Sequence, residues 1–187
     1  MSTQKIRKYL ICMIGLTSLF LVPPSPTEAR TPTQSETKFA NQLSSILDIQ
    51  IPEWERLASP SASARFKHDI LTAFTAVVNF RKSNIQNMSV EIIYPLESGA
   101  KVINKRMDAS LREYGKKVII QGFEAVTLSP PPNQYEVHSD SLYINVANRY
   151  IVILSGEELT DPKILESTAK LIDLKKLAGL TYEALPN

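Results

Sequence analysis

The sequence has one cysteine, Cys12, and two histidines, His68 and His138. Cys12 lies in an N-terminal segment that we predict to be removed, so the mature chain should contain no disulfide, catalytic thiol or thiolate metal site. Two histidines leave few ways to build an acid–base or metal site. The six glycines are too scattered for a dinucleotide-binding fingerprint or a phosphate-binding loop.

The N-terminal segment has the layout of a secretory signal peptide. A basic region at residues 5–8 precedes an apolar run over residues 10–22, and prolines follow that run. A small residue at Ala29 predicts cleavage between Ala29 and Arg30. The apolar run has about 13 residues, fewer than the ~20 that span a bilayer, so an uncleaved membrane anchor is the weaker alternative.

Removal of the signal peptide also sets the charge of the mature chain. It takes away three of the 21 basic and one of the 19 acidic residues, which leaves 18 of each. A net charge near zero predicts binding neither to nucleic acid nor to a membrane after signal removal. We expect an exported protein, most simply periplasmic, with the extracellular space or another lumen as alternatives. Residues 30–37 are predicted to form a flexible N-terminus and residues 38–187 a single domain.

Three stretches have the alternating apolar pattern of β-strands. The pattern over residues 141–156 predicts a hairpin whose second strand is continuously apolar. A second hairpin is predicted from residues 74–80 and 88–94. Residues 118–127 predict one strand, in which Gly122 marks a bulge or a close backbone approach.

Apolar residues at helical spacing predict helices over residues 39–47, 100–117 and 161–179. The last helix begins at an Asp-Pro pair, ends at Gly179 and could lie across the hairpin 141–156. The small-residue stretch 58–64 is predicted to be a loop. These elements predict a single-domain α+β fold with a mostly antiparallel sheet, in the order β-β-α-β-β-β-α, packed by helices.

The polar residues that most suggest a chemical site are Glu136, His138 and Asp140, in an extended stretch at residues 134–140. Alternate residues of a strand point to one face, so the trio could hold a divalent cation. Polar residues on the wet face of a strand explain the same pattern without any ligand. We therefore treat the three residues as weak metal candidates, assign no catalytic or cofactor-binding residue and expect no cofactor.

Other residues give weaker signals. Ser155 lacks the glycine two positions earlier that a nucleophile elbow requires. Glu157 and Glu158 are better explained as favourable charge before a helix than as a catalytic pair. The single tryptophan, Trp54, could serve as a ligand platform, but core packing is the preferred interpretation. The basic residues of the predicted helix 100–117 are interpreted as a solvated face rather than an anion site.

Three features of the second half of the chain occur together in one known family. They are Gln121-Gly122-Phe123-Glu124-Ala125 in a strand, a hairpin ending at residues 150–156, and a last helix with Asp161-Pro162 and Leu171-Ile172-Asp173. Over about residues 74–178 the chain resembles small exported domains of the photosystem II extrinsic PsbP-type fold and related uncharacterised bacterial lipoproteins. The resemblance implies an antiparallel sheet between helices and an accessory or binding role, with no catalytic residues. Because Ile11 precedes Cys12, the chain lacks the lipobox of those lipoproteins, and an attached location does not transfer.

The sequence has enough patterned apolar residues to form a core and no recognisable catalytic motif. This combination favours an exported, non-enzymatic binding or accessory protein of unknown ligand. Such a protein would dock a protein partner through a sheet edge or the helix 100–117. Two alternatives stay open: a metal-dependent or hydrolytic enzyme centred on Glu136, His138 and Asp140, and a structural subunit of an envelope complex. Convergence of the three side chains in a concave pocket would favour the enzyme, and a large exposed apolar patch the structural subunit.

Overall fold

The computed structural model describes residues 30–96, 101, 103–105, 107, 108, 115–129 and 138–183. They form an α+β fold in which one antiparallel sheet of eight strands is packed with helices, as predicted. The elements with defined bounds are α1 (Gln34–Ile46), β1 (Glu55–Arg56), β2 (Ser61–Lys67), β3 (Ile70–Arg81), β4 (Asn87–Pro95), β5 (Gly115–Ile120), β6 (Phe123–Leu128), β7 (Ser139–Val146), β8 (Tyr150–Glu157), α2 (Lys163–Ala169) and α3 (Leu174–Gly179). Residues 101, 103–105, 107 and 108 are also helical and are called the β4–β5 helix. The predicted signal peptide, residues 1–29, lies outside the described part of the chain.

The strands follow one another across the sheet in the order β1-β3-β4-β8-β7-β6-β5, and β2 pairs with β3 beside β1. Both predicted hairpins are confirmed, as β3–β4 and as β7–β8. The middle of the sheet is the pairing of β4 with β8, which joins the two halves of the chain. β5 forms one edge of the sheet, and β1 and β2 form the other.

One face of the sheet, called the core face, is buried by α1, α2 and α3. Every second residue of the central strands points to it, including the fully buried Phe74, Ile92 and Val152. From α1, the ring of Phe39 packs edge-on against Phe74 with ring centroids 4.8 Å apart. Leu165 of α2 belongs to the same buried cluster, which confirms that the C-terminal helical region packs on the last hairpin.

The opposite face is covered in part by the β4–β5 helix. Ile103 and Met107 of this helix pack on Val126 of β6 and on Ile151 and Ile153 of β8. β8 is therefore covered on both faces, since its alternate residues point to the core face. This two-sided burial explains why the second strand of the predicted hairpin is continuously apolar rather than alternating.

The prediction of one strand over residues 118–127 is wrong, because the segment is a tight hairpin. Ile120 pairs with Phe123, and the two residues between them, Gln121 and Gly122, have φ of 51° and 88°. Positive φ at both central residues is the requirement of a type I′ turn, the connection that suits twisted antiparallel strands. Gly122 thus marks a chain reversal rather than a bulge.

The small-residue stretch 58–64 is also partly mispredicted, because β2 begins at Ser61. Its alanines and serines alternate between half-buried and exposed positions, so the strand has the right period with very small side chains. β2 was not predicted as a strand because its first residues are small and weakly apolar. Likewise, the helix predicted over residues 100–117 cannot extend beyond residue 114, since Gly115 already begins β5.

The helix ends also differ from the predictions. α1 begins at Gln34 behind a capping box, in which Glu36 N donates to Thr33 Oγ1 (3.3 Å) and Thr33 N donates to Glu36 Oε2 (2.7 Å). Its first turn therefore lies within the predicted flexible stretch 30–37. The helix predicted over residues 161–179 is split into α2 and α3, because Asp173 starts a new helix by accepting from Lys176 N at 2.8 Å.

Candidate functional site

His138 and Asp140, two of the three metal candidates, do come together, and Glu136 lies outside the described residues. His138 Nε2 is 3.3 Å from Asp140 Oδ2, where β7 begins. The Asp140 side chain is 1% exposed, on the core face, and neither of its carboxylate oxygens accepts a hydrogen bond from a described residue. The imidazole is close enough for an ion pair but is not aligned as a donor. The pair is thus a buried carboxylate beside a partly exposed imidazole.

Backbone pairing with the end of β8 holds His138 in place. Glu158 N donates to His138 O at 2.9 Å, and His138 N donates to Glu158 Oε1 at 2.9 Å. Glu158 has a φ of 50°, which turns the chain away from the sheet after this bond. Glu157 instead accepts a side-chain hydrogen bond from Asn87 on β4. Both acids therefore accept hydrogen bonds at the end of the sheet, a role that the sequence did not predict.

The burial of Asp140 depends on the neighbouring strand. Gly156 lies directly opposite Asp140 in the β7–β8 ladder. A Cβ at Gly156 would lie 2.5 Å from Leu159 Cδ1, so Leu159 fills the place where a side chain would stand. Leu159 therefore packs over Gly156, the residue opposite Asp140. The arrangement gives a small substrate no open route to the Asp140 oxygens.

His138 and Asp140 lie within ion-pair distance of each other, but Glu136 lies outside the described residues, so metal binding by the three residues stays a prediction. No group of three His, Cys, Asp or Glu side chains suited to a metal ion occurs among the described residues. Zinc sites in proteins use at least three such ligands. The half-buried Ser141 and Ser155 hydroxyls lie 3.5 Å apart, but they point to the opposite face of the sheet from Asp140.

The other histidine, His68, is part of a second tight turn. His68 and Asp69 connect β2 to β3 with φ of 49° and 62°, and Lys67 pairs with Ile70 across them. These values again fit a type I′ turn. His68 thus lies at a hairpin tip, far along the chain from the other candidate residues, and belongs to no group of three metal-ligating side chains among the described residues.

A shallow cleft of about 190 Å³ lies between the β3–β4 connection and α2. Its lining consists of Trp54, Lys82, Gln86, Leu159, Thr160, Asp161, Lys163, Ile164 and Ser167. Trp54 is only 8% exposed and belongs to the hydrophobic core, which agrees with its interpretation as a packing residue. Lys82 Nζ is bound to Glu53 Oε2 at 2.6 Å, and this contact lowers the pKa of Glu53. Gln86 is likewise occupied by Thr160 and by the Glu158 carbonyl oxygen. The cleft is smaller than the pockets that bury drug-sized ligands. Its polar side chains Lys82 and Gln86 are already bonded to other residues of the protein.

The β5 edge, residues 115–120, is the exposed feature that the sequence analysis missed. Within the described chain β5 pairs with β6 alone, whereas the opposite edge strand β2 is also flanked by α1. Ile119 is 66% exposed on this edge, and Lys116 and Lys117 beside it are exposed as well. Gln121-Gly122 was the missed signal for the tight turn that ends β5, whereas the edge position of β5 depends on pairings between distant segments.

None of the helices in the described part of the chain is long and apolar enough to cross a membrane. No family model, curated protein or solved structure matches the chain. The resemblance to PsbP-type domains therefore stays a prediction.

Proposed function

We propose that the protein is an exported, non-enzymatic accessory or binding protein that docks a protein partner through the β5 edge. The observation that carries the proposal is an edge strand with no second partner strand among the described residues and with an exposed apolar residue, Ile119, at 66% exposure. An edge strand offers unpaired backbone groups to another chain, and exposed lysines on such an edge, like Lys116 and Lys117, disfavour its pairing with a second copy of the same strand. Addition of a strand to an open edge is a recurrent way of recognising a peptide.

The alternatives find less support in the described residues. The enzyme hypothesis needs an accessible His138–Asp140 pair, yet Asp140 is buried. The structural-subunit hypothesis needs a large apolar patch. The exposed large apolar side chains instead come from five separate segments of the chain: Leu57, Ile70, Ile85, Ile119 and Leu171. Single exposed apolar residues are ordinary on a protein surface.

Site-specific photocrosslinking in the native host tests the docking surface. A benzophenone amino acid at position 119 should give a light-dependent adduct with another protein. The matched control is the same amino acid at position 85, because Ile85 and Ile119 are both 66% exposed and Ile85 lies in the β3–β4 connection. The proposal is wrong if position 119 gives no adduct, or if positions 85 and 119 give the same adducts in equal yield.

A further inference from the structure

The tight turn after β5 determines which backbone groups of this strand are free. Ile120 and Phe123 flank a two-residue type I′ turn and therefore exchange both hydrogen bonds of the ladder. Hydrogen-bonded and non-hydrogen-bonded pairs alternate along an antiparallel ladder, so Val118 also bonds to β6. Lys117 and Ile119 consequently direct their N–H and C=O groups away from β6. Among the described residues no strand pairs with these four groups.

The side chains on this edge are positively charged and apolar. Lys116 and Lys117 are exposed, point to opposite faces of the sheet and form no ion pair with a described residue. Glu124 on β6 lies opposite Ile119 rather than opposite either lysine. The edge thus presents one lysine on each face of the sheet beside its free backbone groups. An acidic strand would meet favourable charge on both faces.

We infer that the β5 edge binds an extended acidic segment of a partner protein, which adds to the sheet as a further strand beside Lys117 and Ile119. This inference rests on the proposed docking function and names the chemistry of the docked segment. Its backbone bonds Lys117 and Ile119, its carboxylates lie near Lys116 and Lys117, and an apolar side chain packs beside Ile119.

A second copy of this chain is a poorer occupant of the same edge. Antiparallel pairing of two β5 strands would bring four lysines into one short interface. Like charges placed close together across a sheet are destabilising. An acidic segment meets the same lysines with the opposite sign of charge, which is why we favour it over self-association.

Two synthetic peptides of nine residues test the inference on the purified exported protein. One has adjacent Glu pairs on both sides of a central Val, so that carboxylates lie on both faces of the added strand, and the other has Lys in place of every Glu. We expect the acidic peptide to bind about tenfold or more tightly than the basic one, and its binding to weaken between low and high salt, where the Debye length falls to a few ångströms. Bound peptide should also slow hydrogen exchange at the Ile119 amide.

Three variants separate the backbone contribution from the charge contribution. Lys117→Pro removes an outward N–H without removing a bond to β6, and prolines are tolerated at such edge positions; it should abolish binding of the acidic peptide. Lys117→Gln keeps the N–H and should weaken binding about threefold, as expected for one solvent-exposed charge pair. Lys67→Gln, on the exposed end of β2, is the charge control and should leave binding unchanged. Unfolding curves check that each variant is folded.

Equal binding of the acidic and basic peptides, or unchanged binding by a folded Lys117→Pro variant, would overturn the inference. A concentration-dependent dimer that Lys117→Pro abolishes would also overturn it, in favour of a second copy as the occupant. Failure of the proposed function has a different signature, since photocrosslinking at position 119 would then give no adduct at all. If an adduct forms but mass spectrometry maps it to a segment without acidic residues, only the acidic inference is wrong.

Discussion

The Asp140 side chain is placed on the core face of the sheet, with His138 Nε2 3.3 Å from its Oδ2. The sequence alone predicts that these two side chains share a face, because alternate strand residues do. It does not predict that the face is the buried one. That burial depends on Gly156 and Leu159, which come from another strand and the loop after it.

A double-mutant cycle tests whether the two residues stabilise each other. His138→Ala should destabilise the protein by about 1–3 kcal/mol, because it leaves a buried carboxylate without its partner. In an Asp140→Asn background the same change should cost much less, since the buried group is then neutral. Urea unfolding at neutral pH measures the four free energies. Simple additivity of the two changes would show that the pair is not coupled.

Tyr150 predicts how stability responds to alkaline pH. Burial, followed by the influence of Tyr94, raises the pKa of Tyr150 from its ordinary 10.0 to about 12, and its hydroxyl donates to Leu180 O at 2.7 Å. The folded state therefore retains a proton that the unfolded state loses. The stabilising contribution is complete below pH 10 and is lost as the pH rises through about 12.

Unfolding of the Tyr150→Phe variant isolates this effect from other groups that titrate at high pH. At pH 8 the variant should be less stable by about 1 kcal/mol, because the bond to Leu180 is lost. The difference between the two proteins should shrink between pH 10 and pH 12, where only the parent has Tyr150 to ionise. A difference that stays constant over that range would contradict the assignment.

At the scale of elements, the two long hairpins could be predicted because each has one regularly alternating strand with large apolar residues. β2 could not, since its alanines and serines carry too little apolar contrast to show the period. The β5–β6 hairpin was missed because Gln121 is also compatible with a strand interior. Its polar side chain has a tertiary role that no local pattern encodes: Gln121 Nε2 donates to Ala169 O (3.1 Å) and Ile172 O (2.8 Å).

Gln121 should therefore link the β5–β6 turn to the end of α2. Gln121→Asn keeps a residue that tolerates positive φ, but its side chain is too short to reach both carbonyls. We expect a loss of about 1–2 kcal/mol, measured by urea unfolding. His68→Asn is the matched control, because His68 occupies the corresponding position of another type I′ turn, with φ of 49°. Equal effects of the two changes would show that the Gln121 contacts contribute nothing.

At the scale of the whole molecule, the α+β class followed from the mixture of alternating and helical periods. The edge position of β5 did not, because strand order in a sheet depends on pairings between distant segments. The sequence could therefore predict that a sheet edge would be a docking surface, but it could not predict which edge.

The export part of the proposal predicts the chemistry of the mature N-terminus. Protein recovered from the native host should begin with Arg30, in the sequence RTPTQSE. Edman degradation of the secreted or periplasmic fraction measures this directly. Substitution of Ala29 by a large residue should lead to accumulation of the full-length precursor. Recovery of an intact N-terminus from the cytoplasmic fraction of unmodified cells would contradict export.

The pairing of β4 with β8 also determines when the fold can be completed. Asn87 and Glu157, partners in that ladder, are separated by 70 residues. Until β8 is available, the β3–β4 hairpin has nothing to pair with along the inner side of β4. Closing so long a loop is slow compared with forming a hairpin. If the chain crosses a membrane with its N-terminus first, β4 would therefore be an exposed edge strand until β8 arrives. That edge would need protection until β8 has crossed.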